Sequence, residues 1–184
     1  EEVLDKLRAG LHIYVREGSG AKNLETLIKT MLDAGVCLDR CAFCTDDKHV
    51  EEIRKEGHIS TCIRKAIALG VPVAKAYKMG SYQAAEFYGL KNYGAIGAGY
   101  RADIVFLDDL EQVRPLDVMK DGRILTEEDY AKDYSVPVPD ELLHTVHVGE
   151  VTKEKIRLSC DGKTDVIQMN PHQIVTTHLV EEVP

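Results

Sequence analysis

No stretch of this sequence is apolar for long enough to cross a bilayer. The longest runs, such as Ile104-Val105-Phe106-Leu107, fall far short of the roughly 20 residues a spanning helix needs. A positive field is missing as well: 23 Lys and Arg stand against 31 Asp and Glu, a formal net charge of −8. Nothing global draws in a phosphate backbone, so neither nucleic acid nor membrane is an expected partner. Cysteines are sparse and odd in number (Cys37, Cys41, Cys44, Cys62 and Cys160). That is too thin for a secreted disulfide scaffold and predicts a reducing cytoplasm, with the thiols mostly buried and free. No internal repeat or low-complexity tract is present. The sequence opens at Glu1, already inside a helical pattern and without a leader, and reads as an internal piece of something longer.

What is there is an ordinary globular balance, 44% hydrophobic and 29% charged over 184 residues, enough for one or two domains. Val3, Leu4, Leu7 and Leu11 recur at helical spacing, and Leu11-His12-Ile13-Tyr14-Val15 then alternates as a short strand. After Arg16-Glu17-Gly18-Ser19-Gly20, Ser19 or Asn23 can cap a helix with Leu24, Leu27, Ile28, Met31 and Leu32 on its apolar face, closed by Gly35. A second unit of the same kind follows. Cys41-Ala42-Phe43-Cys44 is a strand of apolar type, Thr45 to His49 a polar exit, and His58 to Leu69 its helix. A further helix is predicted over Val73 to Leu90. Two consecutive strand-to-helix units argue for α/β construction on parallel strands, with polar residues gathered at the strand C-termini.

The pattern changes after Tyr88. Asp103 to Asp108 reads as a buried strand, and Val113 to Met119 with Arg123-Ile124-Leu125 forms a hairpin around Asp121-Gly122. Thr126 to Pro139 is linker-like. Ile156-Arg157-Leu158 and Asp165 to Gln168 are further strand candidates.

Three constellations carry possible chemistry. In Cys44-Thr45-Asp46-Asp47-Lys48, carboxylates stand at a strand's C-terminal mouth, where they can bind a hard cation or move a proton between a water and a leaving group. The same residues are also ordinary turn and helix-capping chemistry. Arg16-Glu17-Gly18-Ser19 has the equivalent placement on the first strand and either lines a pocket or makes an exit turn. Cys37, Cys41 and Cys44, with His49 as a further ligand, have half the spacing of a structural zinc site, but Cys41 and Cys44 also suit a buried strand. His58, at a helix start, either faces the same mouth as Asp46 or caps its helix. His144 and His147 fall on opposite faces of a strand.

Tyr14 to Leu24, with Phe43-Cys44-Thr45-Asp46-Asp47-Lys48, Gly57-His58-Ile59, Ala84 to Leu90 and Gly94-Ala95-Ile96 followed by Gly99 to Val105, resembles the adenine deaminases of the amidohydrolase superfamily. The resemblance implies an α/β fold that is part of a (β/α)₈ barrel, since a whole barrel takes about 250 residues. The implied segments are the last βα units over 1–88, a small flanking β subdomain over 89–126, a linker over 127–145 and the start of a β-rich domain over 146–184. It further implies hydrolytic deamination of adenine to hypoxanthine and ammonia at a pair of divalent metals, Mn²⁺ or Fe²⁺.

Carried over residue by residue, Asp46 is the metal ligand and proton shuttle that ends the eighth barrel strand, with Asp47 as the adjacent alternative. Glu17, Ser19 and His58 are the expected substrate-binding residues. The pattern departs from the family in having no His-x-His pair, so most metal ligands are expected outside this chain and the fragment alone is expected to be inactive. Exposed barrel edges predict a homo-oligomer, or association with the rest of the barrel. The alternatives are another amidohydrolase acting on a different amine or cyclic amide, and a non-catalytic module that could bind zinc.

Overall fold

The computed structural model describes residues 2–132, 135–159 and 162–182. Glu1 and Cys160 lie outside the described residues. The chain divides into two compact units, Glu1–Leu125 with Asn170–Val175, and Thr126–Met169 with Thr176–Pro184.

The first unit opens with α1 (Glu2–Arg8), β1 (Ile13–Arg16), α2 (Leu24–Asp33) and β2 (Cys41–Cys44), then the helices α3 (Val50–Glu56), α4 (Ile59–Ala68), α5 (Val73–Gly80) and α6 (Tyr82–Phe87). β1 and β2 pair in parallel, Ile13 opposite Cys41 and Arg16 opposite Cys44, as two strand-to-helix units require. Alternation along the strands sorts the side chains. Ile13, Val15, Cys41 and Phe43 enter a core with Leu24, Ile28 and Met31 of α2 and Cys62 and Ala66 of α4. Each fully buried Leu or Ile there contributes roughly 1.5 to 3 kcal/mol. Tyr14 and Arg16 take the opposite face of β1, where Tyr14 packs on the rings of Phe87 (5.1 Å) and Tyr88 (5.8 Å).

Several expectations are corrected. The helix over 73–90 is two helices. Gly80 sits where a Cβ would come within 2.7 Å of Ile63 Cδ1, and Ser81, at φ −142 and ψ −81, turns the chain between α5 and α6. Asn23 precedes α2 but makes no side-chain cap bond. The charged segment after His49 forms α3, whose acidic first turn (Glu51, Glu52) and basic last turn (Arg54, Lys55) suit the helix dipole. Cys37 is exposed, against the expectation of mostly buried thiols, whereas Cys41 and Cys62 are buried and burial pushes their thiols up to about 11 and about 12.

β3 (Ile104–Asp109), β4 (Arg114–Lys120) and β5 (Arg123–Ile124) form an antiparallel sheet in that order. Asp121 and Gly122, both at positive φ, make the hairpin turn, and Asp103 pins it by accepting from Asp121 N at 2.9 Å and from Lys120 Nζ at 2.5 Å. β3 was expected to be buried. Leu107 alone of its large residues packs on the core, while Val105 and Phe106 stay open because β3 is an edge strand.

In the second unit, part of the expected linker is α7 (Glu127–Ala131), started by a Thr126–Asp129 capping box, followed by α8 (Asp140–Leu143). Ile156 ends a single helical turn, α9 (Lys153–Ile156), where a strand was expected. Thr152 in the cap position and Lys-Glu-Lys outweigh the β preference of one Ile. β6 (Lys163–Met169) and β7 (Thr176–Glu182) form an antiparallel hairpin. Among the described residues no helix is long and apolar enough to cross a membrane.

Candidate functional site

The site forms where β1 and β2 end side by side. Glu17 N donates to Cys44 O at 3.0 Å, continuing the ladder one residue past Arg16, and Gly18 N to Ala21 O at 3.0 Å closes a tight loop before α2. The two aspartates after β2 part company here.

Asp47 turns into the loop from β1. Its Oδ1 accepts from Ser19 N at 3.1 Å and its Oδ2 from Gly20 N at 2.8 Å. These backbone donors, Gly20 foremost, hold its carboxyl below the ordinary 3.8. A depressed folded-state pKa means that this contact stabilises above the unfolded value and is lost as pH falls through the folded one. Amide exchange at Ser19 and Gly20 is therefore expected to accelerate below about pH 4 relative to the core of α2, and unchanged protection down to pH 2 would contradict the contact.

Asp46 takes the other direction. Its backbone lies at φ 51, the left-handed region that non-glycine residues seldom occupy, and its side chain is half exposed. Arg16 Nη1 donates to Asp46 Oδ2, and Oδ1 has no hydrogen bond among the described residues. Arg16, Cys44 and Asp46 thus lie together beside an open groove of about 610 Å³ that Tyr14, His12 and residues of α1 and α2 also line. Burial first, and then the Asp46 charge, push the Cys44 thiol up, so it is a poor nucleophile.

The expected substrate-binding residues occupy other positions around this mouth. Glu17 is buried on the helix face and meets Lys65 Nζ of α4 at 2.6 Å. Ser19 Oγ donates to Glu52 and accepts from His49 N at 2.9 Å, tying the loop to α3. His58 Nε2 lies 2.7 Å from Thr45 Oγ1. Lys48, its side chain 2% exposed, pairs with Glu56 at 2.9 Å and holds that carboxyl below its ordinary range. The structure therefore joins Asp46 directly to Arg16 and surrounds the pair with Glu17, Ser19 and His58 bonded to protein partners. Lys65→Met would strand the buried Glu17 carboxylate. It is expected to cost about 2 kcal/mol, below the range for a fully buried pair because Lys65 is half exposed, and Glu17→Gln is expected to cost less. Urea denaturation of the two variants checks that order.

Arg16 belongs to the pocket-lining candidate Arg16-Glu17-Gly18-Ser19, but the sequence assigns no role of its own to Arg16 or to Tyr14. Their signal was the alternation on β1, which sets residues 14 and 16 on the face of 44 and 46.

Among the described residues no three His, Cys, Asp or Glu side chains converge to hold a metal ion. Cys41 Sγ lies 3.7 Å from Met31 Sδ in the core and Cys37 bonds to Asp39, so the zinc module finds no support. By donor chemistry, Asp46 fits one ligand position for a hard cation.

The sequence profile of the Amidohydrolase family matches residues 3–125. The chain belongs to this family. It is 38% identical over 182 residues to an adenine deaminase of Desulfitobacterium hafniense (strain Y51), covering 98% of this chain and 32% of that protein. An adenine deaminase of Methylobacterium nodulans is 40% identical over 185 residues, covering 100% and 32%, and one of Clostridium acetobutylicum is 39% identical over 168 residues, covering 90% and 29%. The chain spans about a third of the length of these curated relatives. Among solved structures, the β-aspartyl dipeptidase of Fervidobacterium islandicum AW-1, in complex with a β-Asp-Leu dipeptide, is similar in fold with a TM-score of 0.55 and 19% identity, over 74% of this chain and 38% of that one. The amidohydrolase fold class is thereby shown for the α/β region of this family member.

Proposed function

We propose that this amidohydrolase chain carries part of the active site of an adenine deaminase, which converts adenine and water to hypoxanthine and ammonia. One observation carries the reading. Asp46, within a stretch aligned to proteins named adenine deaminase, stands at the C-terminal end of β2 with one carboxylate oxygen held by Arg16 and the other without a hydrogen bond among the described residues.

In this reading the free oxygen of Asp46 accepts a proton from the water whose oxygen bonds to C6. It then gives that proton to the exocyclic nitrogen as the C6–N bond breaks and ammonia leaves. Asp46 also offers one ligand oxygen to a divalent cation, Mn²⁺ or Fe²⁺, which when bound lowers the pKa of a coordinated water. Asp47 is the less suited of the two aspartates, since both its oxygens already bind the loop. Glu17, Ser19 and His58 serve the substrate through the shape of the mouth. Glu17 ties the loop to α4, Ser19 ties it to α3, and His58 holds Thr45 beside Asp46.

The proposed domain division is that of the resemblance, with the barrel units over 1–88 and the β subdomain over 89–126. The open edges of the parallel pair favour a homo-oligomer or pairing with further barrel strands, and the free thiols suit the cytoplasm. The isolated 184-residue chain is expected to release no ammonia. The test offers adenine and cyclic amides to the full-length protein with added Mn²⁺. Hypoxanthine from adenine, with the amides untouched, is the expected result. Amide hydrolysis without adenine turnover would overturn the reading.

A further inference from the structure

Tyr14 and Arg16 alternate on β1 with the core residues Ile13 and Val15, and each ends in a polar atom shut off from solvent. Among the described residues Arg16 Nη2 has no hydrogen-bond partner, whereas the Tyr14 hydroxyl is turned to Tyr88. A guanidinium has donors only, and Arg16 uses Nη1 on Asp46. Leaving a buried donor unmade costs as much as losing a hydrogen bond, so this atom, beside an open groove, points to an acceptor that the described residues do not supply. The groove also tells which acceptor. The Asp46 carboxylate offsets the Arg16 charge and would repel an anion, which favours a neutral group with in-plane lone pairs.

We propose that Arg16 contacts the substrate. Nη1 fixes one oxygen of Asp46, while Nη2 donates to an unprotonated ring nitrogen of a neutral aminopurine. This assignment rests on the deaminase reading and deepens it, because it makes one side chain set both the orientation of the proton-carrying carboxylate and the position of the ring. The planar fork of Arg suits that double task, and Lys can perform only the first half.

The experiment uses the full-length protein and its Arg16→Lys and Arg16→Met variants. It measures KM and kcat for adenine, inhibition constants for 1-deaza-, 3-deaza- and 7-deazaadenine, and thermal unfolding. Arg16→Lys is expected to keep kcat within about threefold and raise KM about tenfold or more, as for loss of a hydrogen bond from a charged donor. Arg16→Met is expected to lose both. The penalty of Arg16→Lys should vanish for the one deaza analogue that lacks the contacted nitrogen, which a merely structural role would not produce.

An unchanged KM in Arg16→Lys, or an equal penalty on every purine, overturns the assignment while leaving a wild type that turns over adenine as a deaminase. A wild type that neither binds nor deaminates any aminopurine removes the deaminase reading and this assignment with it. Should Arg16→Met fail to fold, the Lys variant with the deaza analogues decides the matter.

Discussion

Gly18→Ala is expected to destabilise the first compact unit by about 2 to 3 kcal/mol, the range of overpacking in a closed site. A Cβ on Gly18 would fall 1.8 Å from Asp47 Oδ1 and 3.0 Å from Thr45 O. Asp47 can swing away only by giving up the amides of Ser19 and Gly20, so the variant either keeps a clash or loses two hydrogen bonds. The loop joins the ends of both strands, and its loss should also lower activity. Removing the carboxylate in Gly18→Ala/Asp47→Ala should bring the double variant close to Asp47→Ala alone, leaving only the Thr45 contact. Urea denaturation of the three proteins tests this. A Gly18→Ala protein within about 0.5 kcal/mol of wild type would contradict the packing of Asp47 under the loop.

Asp46→Asn is expected to reduce adenine deamination about 10³-fold with little change in stability, within the range for removing a general acid–base group. The amide is isosteric and can still accept from Arg16, so the local fold has no reason to change. What disappears is the oxygen able to take a proton from water and return it to the leaving amine. The half-exposed setting of Asp46 supports the expectation of a small stability cost. Rates at saturating adenine, measured beside thermal unfolding, separate this from a folding defect. A loss of only a few-fold would assign the proton transfer to another group.

The α/β region was legible because its signals agree. β2 spans Cys41–Cys44 as its apolar run announced, and the parallel pairing of β1 with β2 follows from two strand-to-helix units; in the antiparallel sheet that follows, the turn at Asp121-Gly122 falls at the Asp-Gly pair. Where the reading went astray, tertiary contact or missing burial decided. Periodicity over 73–90 is helical throughout, but the approach of α5 to Ile63 at Gly80 and the turn at Ser81 break it. β3 is apolar enough for a core, yet as an edge strand it leaves Val105 and Phe106 open.

For the candidate site, the sequence marked the mouth but could not distribute the work inside it. Asp46 and Asp47 are adjacent and chemically alike, and only the positive φ of Asp46 sends one to Arg16 and the other into the loop. Glu17 illustrates the same limit. A carboxylate next to Arg16 in sequence lies on the opposite face of the strand, where Lys65, 48 residues later, meets it.

The most direct test of Asp46 as the proton-carrying carboxylate is ammonia release from adenine, with Mn²⁺ present, by full-length wild type, Asp46→Asn and Asp47→Asn at a temperature where all three are folded. The expected result is near-complete loss in Asp46→Asn, with substantial activity kept by a less stable Asp47→Asn. Activity that survives in Asp46→Asn and vanishes in a folded Asp47→Asn would contradict the assignment.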